Sequence, residues 1–254
     1  MSENLDKLVN IIAKLRAPDG CKWDREQTHV SLKQNFIEET YEALDAIDAN
    51  DMPHLKEELG DVLLQVILHA QIAKEEGAFD IEDVAKGISE KLIHRHPHVF
   101  GDVKVSSTQE ILDNWEKLKK EEKPHRKSAM DGISPSLPAL FAAYKISKKA
   151  VKVGFEWPTL DSLYECFNSE IEEFKDAVAE ADQEHMEEEM GDILFALVNL
   201  ARWHKINPEI ALANANKKFM KRFRKMEELS SKDISENSID EYDRLWKEAK
   251  KQLN

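Results

Sequence analysis

The sequence predicts an all-α protein built from two tandem helical domains. Three observations carry this reading. Apolar residues recur at helical spacing along most of the chain. Alternating apolar runs bounded by turn residues are missing, apart from a weak stretch at residues 99–105. The chain also repeats itself. Thr28, Leu32, Phe36, Leu63 and Ala70 return as Thr159, Leu163, Phe167, Leu194 and Ala201, each 131 positions later, and EELGD at residues 57–61 returns as EEMGD at 188–192. A period of that length spans a whole domain, because solenoid repeats run at about 20–50 residues. The 254 residues suffice for two domains of ordinary size.

The N-terminal stretch MSENLDKLVNIIAKLR is amphipathic and lacks the apolar core of a signal peptide. Leu32, Phe36, Tyr41, Leu44 and Ile47 then mark a helix that ends at the Asn50-Asp51-Met52-Pro53 break, where proline suits the first turn of the next helix. Leu55, Leu59, Val62, Leu63, Val66, Ile67 and Ala70 form the apolar stripe of that second helix, which Gly77 closes. A third is expected over 81–94, stopped by Pro97, and a fourth over 111–122. Residues 123–138 read as a linker, with Pro124, Gly132, Pro135, Pro138 and three serines. The second half predicts helices over 160–181, 185–204, 208–229 and 239–252, with a polar loop at 230–238. The expected division is a domain at 1–122, a linker at 123–138 and a domain at 139–254.

Composition narrows the function. A net charge of −14 argues against nonspecific nucleic-acid binding, which needs a basic surface. Cys21 and Cys166 lie in different halves, so a reducing, cytoplasmic setting fits better than a disulfide framework. No run approaches the ~20 apolar residues that span a bilayer.

The repeat preserves acids above all. Glu39, Glu42, Glu58 and Asp61 return as Glu170, Glu173, Glu189 and Asp192 at the same offset of 131. Residues three apart share a helix face, and successive helices joined by a short loop pack antiparallel, so four carboxylates can converge. Unpartnered, such a cluster is costly; a dication removes the cost. The ligand set is all hard oxygen, which favours Mg²⁺, with Mn²⁺ as a substitute, over Zn²⁺. A di-iron carboxylate centre would need Glu-x-x-His motifs on two helices, and Glu26-x-x-His29 has no counterpart.

Cations repeat as well. Lys91 and Arg95 return as Lys218 and Arg222 at an offset of 127, and Trp115 and Lys119 return as Trp246 and Lys250 at 131, so one loop lost four residues and a later one regained them. Four-residue spacing puts each pair on one helix face, as a phosphate clamp and a base-stacking platform would require. Glycine-rich phosphate loops and nucleophile elbows are absent from the sequence. His94, His96 and His98 look like a metal tract but match Lys221, Phe223 and Lys225 in the repeat, so a structural or capping role is expected.

On these residues the chain resembles the MazG nucleoside triphosphate pyrophosphohydrolases in their two-domain form. The resemblance runs over nearly the whole length: EETYE at 38–42, ELGD at 58–61, RHPHVF at 95–100, SLPAL at 136–140, VGFEW at 153–157, EEMGDILFALVNLAR at 188–202 and KKFMKRF at 217–223. It implies an all-α homodimer in which helices of both subunits complete four-helix bundles around acidic Mg²⁺ sites. It implies cleavage of nucleoside triphosphates between the α- and β-phosphates, with clearance of non-standard nucleotides as the role. Glu170, Glu173, Glu189 and Asp192 would hold metal, while Lys218, Arg222, Trp246 and Lys250 would contact nucleotide. Glu39, Glu42, Glu58, Asp61, Lys91, Arg95, Trp115 and Lys119 are their first-half equivalents. The family pattern E-E-x-x-E fits Glu38, Glu39 and Glu42, but Ser169 stands where Glu38 would recur, and Glu172-Glu173-x-x-Asp176 imitates the pattern in a shifted register.

The expected chemistry is metal-assisted hydrolysis; spacing fits both halves alike, and the resemblance implies the second, with Glu189 essential, Glu172 or Glu188 accepting the proton of the attacking water, and Lys218 and Arg222 stabilising the departing pyrophosphate. The alternatives are a narrower pyrophosphohydrolase acting on dUTP or phosphoribosyl-ATP, or a dimeric scaffold that senses nucleotide or metal without turnover.

Overall fold

A computed structural model describes residues 3–124 and 127–253. Two linker positions, His125 and Arg126, and the terminal Met1, Ser2 and Asn254 lie outside the described residues. The chain divides into two compact units, Met1–Lys123 and Pro124–Asn254. Among the described residues every regular element is helical. The weak strand candidate at 99–105 is instead a short helix followed by irregular chain.

The first unit holds α1 (Glu3–Leu15), α2 (Lys22–Glu26), α3 (Lys33–Ala49), α4 (Met52–Glu75), α5 (Ile81–Arg95), α6 (Pro97–Phe100) and α7 (Thr108–Glu121). The second holds α8 (Ala139–Lys152), α9 (Leu160–Glu180), α10 (Gln183–Trp203), α11 (Pro208–Leu229) and α12 (Ile239–Leu253). The sequence predicts most of these, but not α2, α6 or α8.

The centre of each unit is a helical hairpin, α3 with α4 and α9 with α10. Each hairpin turns on two residues. Asn50 and Ala181 take left-handed backbone, with φ of 54° and 55°. The amides after them close the last turn: Asp51 N donates to Ala46 O at 3.0 Å, and Asp182 N to Ala177 O at 3.2 Å. This is a Schellman ending, which satisfies carbonyls that a helix terminus leaves open. Asp51 and Asp182 then cap the next helix through their side chains, accepting from His54 N at 3.1 Å and Glu184 N at 3.1 Å. The helices approach closely because alanine lies between them: Ala46 and Ala177 are wholly buried.

In the first unit, Ile12, Leu32, Ile67, Leu68 and Ile72 form a buried cluster that docks α1 and the start of α3 against α4. The Arg16 guanidinium braces the intervening loop, donating to Glu75 on α4 and to the Gln27 carbonyl at 3.1 Å. In the second unit a polar network does the comparable work. Arg202 donates to Ser147 Oγ and Glu156 Oε1, both at 2.6 Å, and Ser147 donates to the buried Asn199. Met226, Leu245 and Ala249 bury the contact of α11 with α12. His96 sits at the junction of α5 and α6, its Nδ1 2.7 Å from the Leu92 carbonyl. Pro97 thus ends α5 and opens α6, since its ring fits only a first helical turn.

Candidate active site

The hairpins bring the repeated acids together. Glu39 and Glu42 project from α3 and Glu58 and Asp61 from α4; Glu170 and Glu173 project from α9 and Glu189 and Asp192 from α10. Oxygens of Glu39, Glu58 and Asp61 lie within 4.8 Å of one another, as do those of Glu170, Glu173 and Glu189. Glu42 and Asp192 stand close enough to act on these groups electrostatically. Burial, and then the charges of Asp61, Glu42, Glu58 and Glu38, push the Glu39 carboxyl above its ordinary range. Glu58 is raised by burial, then by Glu42. Glu170 is raised mainly by burial, with Glu173, Asp192 and Glu189 adding to it.

One acid in each cluster is nearly sealed from water. Glu58 and Glu189 are both 6% exposed. Their Oε2 atoms are buried and without a hydrogen-bond partner. An unpaired buried carboxylate oxygen carries a heavy desolvation cost, so each cluster is suited to a divalent cation. The donors are hard oxygens, which fits Mg²⁺ or Mn²⁺. Glu172 and Glu188 lie outside the two clusters; Glu172 pairs with Lys175 at 2.7 Å and Glu188 is exposed.

The cations also gather, and here the halves differ. On α5 the Arg95 guanidinium grips Glu122 with two hydrogen bonds, one of 3.0 Å, and lies 5.2 Å from the centre of the Trp115 ring. Lys119 covers the same ring at 4.9 Å. The Arg95 hydrogen bond holds the Glu122 carboxyl below its usual range, with His94 and Lys91 adding smaller effects. On α11, Arg222 lies 5.7 Å from the centre of the Trp246 ring. Leu253 occupies the repeat position of Glu122, and Arg222 has no carboxylate partner among the described residues. Trp246 also meets Phe219 at 5.3 Å, beside a groove of about 320 Å³ lined by Phe223, Met226, Ile239 and Tyr242. Lys91, Lys218 and Lys250 are exposed.

The sequence reading passed over His54 and His185. Their Nε2 atoms lie 2.9 Å from Glu58 Oε1 and 3.1 Å from Glu189 Oε1. The signal was available, because 54 and 185 keep the offset of 131 and stand four residues before the buried acids.

The MazG nucleotide pyrophosphohydrolase domain model matches the chain twice, over residues 27–100 and 158–227. Each match contains a complete acid hairpin. The chain belongs to the MazG family. It is 49% identical over 249 residues to the nucleoside triphosphate pyrophosphohydrolase/pyrophosphatase MazG of Thermotoga maritima, covering 96% of this chain and 95% of that protein. It is 45% identical over 258 residues to the nucleoside triphosphate pyrophosphohydrolase of Escherichia coli K12, covering 98% and 97%. A solved MazG-related protein from Thermotoga maritima is 30% identical and covers 45% of this chain and 98% of its own, with a TM-score of 0.40. Among the described residues, no helix of this MazG-family protein is long and apolar enough to cross a membrane.

Proposed function

We propose that this protein is a Mg²⁺-dependent nucleoside triphosphate pyrophosphohydrolase that releases the monophosphate and pyrophosphate and serves to clear unwanted nucleotides from the cytoplasm. The observation that carries the proposal is the orphaned, buried Oε2 of Glu189 amid Glu170 and Glu173. The names of the full-length relatives support the same reaction.

In this reading Glu170, Glu173, Glu189 and Asp192 hold the metal. A metal bound there would polarise the α-phosphate and make a water more acidic. The protein's own groups do the rest. Arg222 and Lys218 bind the β- and γ-phosphates and offset charge on the leaving pyrophosphate. Trp246 offers a face to the base, and Lys250 an exposed cation beside it. The water oxygen attacks the α-phosphorus, the bond to the bridging oxygen breaks, and a carboxylate takes the water proton. Glu188, which carries no ion pair among the described residues, is more available for that step than Glu172, which is held by Lys175.

The second half, residues 139–254, is assigned the catalysis, and the first half, residues 1–122, assembly or regulation. Arg222, which meets no carboxylate among the described residues, against the neutralised Arg95 supports that division. A homodimer completes the proposal. Ile37, Tyr41, Leu44 and Ile47 on α3 and Met190, Leu194 and Leu197 on α10 are large apolar side chains left exposed in the single chain, and a second copy would cover them. Sedimentation analysis giving a stable dimer is the expected result.

The reaction is tested by incubating the full chain with each nucleoside triphosphate and Mg²⁺ and identifying the products. Monophosphate plus pyrophosphate is expected. Diphosphate plus orthophosphate, or binding without turnover, would overturn the proposal.

A further inference from the structure

The two buried glutamates are held alike, and by a residue type outside the acid pattern. His54 and His185 each stand one turn before the buried acid, so they share its helix face. Each is the third residue after a capping aspartate, and Asp51 and Asp182 accept from their backbone amides at 3.1 and 3.2 Å. The cap fixes the first turn and so fixes where the imidazole begins. Each Nε2 then reaches Oε1 of its glutamate, at 2.9 and 3.1 Å. The imidazoles are about half exposed while the glutamate side chains are 8% exposed, so each ring stands between its acid and solvent. In both halves Oε1 is the oxygen the ring occupies, and Oε2 is the one left buried and unpartnered.

A carboxylate can turn about its last torsion and exchange its two oxygens. A ring nitrogen fixed on one of them removes that freedom. We propose that His185, and His54 in the first half, are positioning residues that pin one oxygen of Glu189 and Glu58 and present the other to the divalent cation. This rests on the reading of the acid clusters as metal sites. Groups that orient metal ligands in this way are typically worth about 10–100-fold in affinity.

The test is Mn²⁺ binding to the full chain, followed by the electron paramagnetic resonance of free Mn²⁺, with melting temperature measured alongside. Replacing both rings, as H54A/H185A, should weaken Mn²⁺ binding about tenfold. H54Q/H185Q, whose amides can still reach the carboxylates, should stay within about threefold of the parent. E58Q/E189Q is the control for the underlying reading. If that variant binds Mn²⁺ as well as the parent, the acid clusters are not the metal sites. If it loses Mn²⁺ while H54A/H185A binds normally, the clusters stand and the positioning role falls. Equal losses in the alanine and glutamine variants also overturn the role, as does a lowered melting temperature with unchanged affinity. Should the alanine variant fail to fold, H54F/H185F, which fills the space without a ring donor, decides: a tenfold loss with H54Q/H185Q near parental supports the role, and parental affinity overturns it.

Discussion

The two halves began as one design: both keep the clustered acids and the arginine–tryptophan pair, and they differ in what faces the arginine. Glu58 and Glu189 are equally buried, and both lie in clusters of three oxygens. Arg95 and Arg222 each lie over a tryptophan, yet Arg95 is tied to Glu122 and Arg222 faces no carboxylate among the described residues. An arginine already neutralised by a bidentate partner has little left to offer a phosphate. An acid cluster and an arginine–tryptophan pair copied by one duplication have thus diverged separately.

The strongest way to break the comparison is to remove the buried acid from one half at a time. Glu189→Gln should lower pyrophosphate release by on the order of 10²-fold or more, the scale of losing a group that stabilises transition-state charge, while Glu58→Gln keeps most of the activity. The reverse result, read from initial rates, would move catalysis to the first half. A smaller contrast lies in the arginines. Arg222→Ala should cut kcat/KM roughly 10²-fold with little change in melting temperature. Arg95→Ala should leave Glu122 only the more distant His94, 4.0 Å away, and destabilise the chain by about 1 kcal/mol, with activity largely kept.

Acidity sharpens the picture without substrate. A carboxyl raised by burial and like charge favours the folded state only while protonated. Glu39 therefore adds no penalty well below its ordinary value of 4.5, and an increasing one as pH rises through its folded value. Glu39→Gln should raise the metal-free melting temperature at pH 7 and lower the gain from added Mg²⁺; a drop in the metal-free protein would refute this. The smallest effect concerns Ala181, which sits at a φ of 55° that alanine resists. Ala181→Gly should stabilise the second unit by about 1 kcal/mol in denaturant titration.

The helices and the acid hairpins were legible in the sequence because both depend on spacing within a few residues. Leu32 and Leu163, paired by the repeat, are both buried, and Glu58 and Glu189 follow suit. The helix α2 was missed because five residues carry too little periodicity to register. The Arg95–Glu122 pair could not be read off, since it joins residues 27 apart through the packing of α5 on α7. His54 and His185 differ again: they keep the repeat offset, but only the fold shows that each ring meets the buried glutamate one turn on.

The two-residue turns at 50–51 and 181–182 carry a final consequence. Each extra residue would rotate the following helix by about 100° about its axis, swinging Glu58 or Glu189 away from the partner helix. Insertions and deletions are thus barred from these corners. The four-residue loss in the second half falls instead between the positions of Ala70 and Lys91, and the matching gain between those of Arg95 and Trp115, both downstream of the acids. These two corners act as rulers that the duplication copied without lengthening.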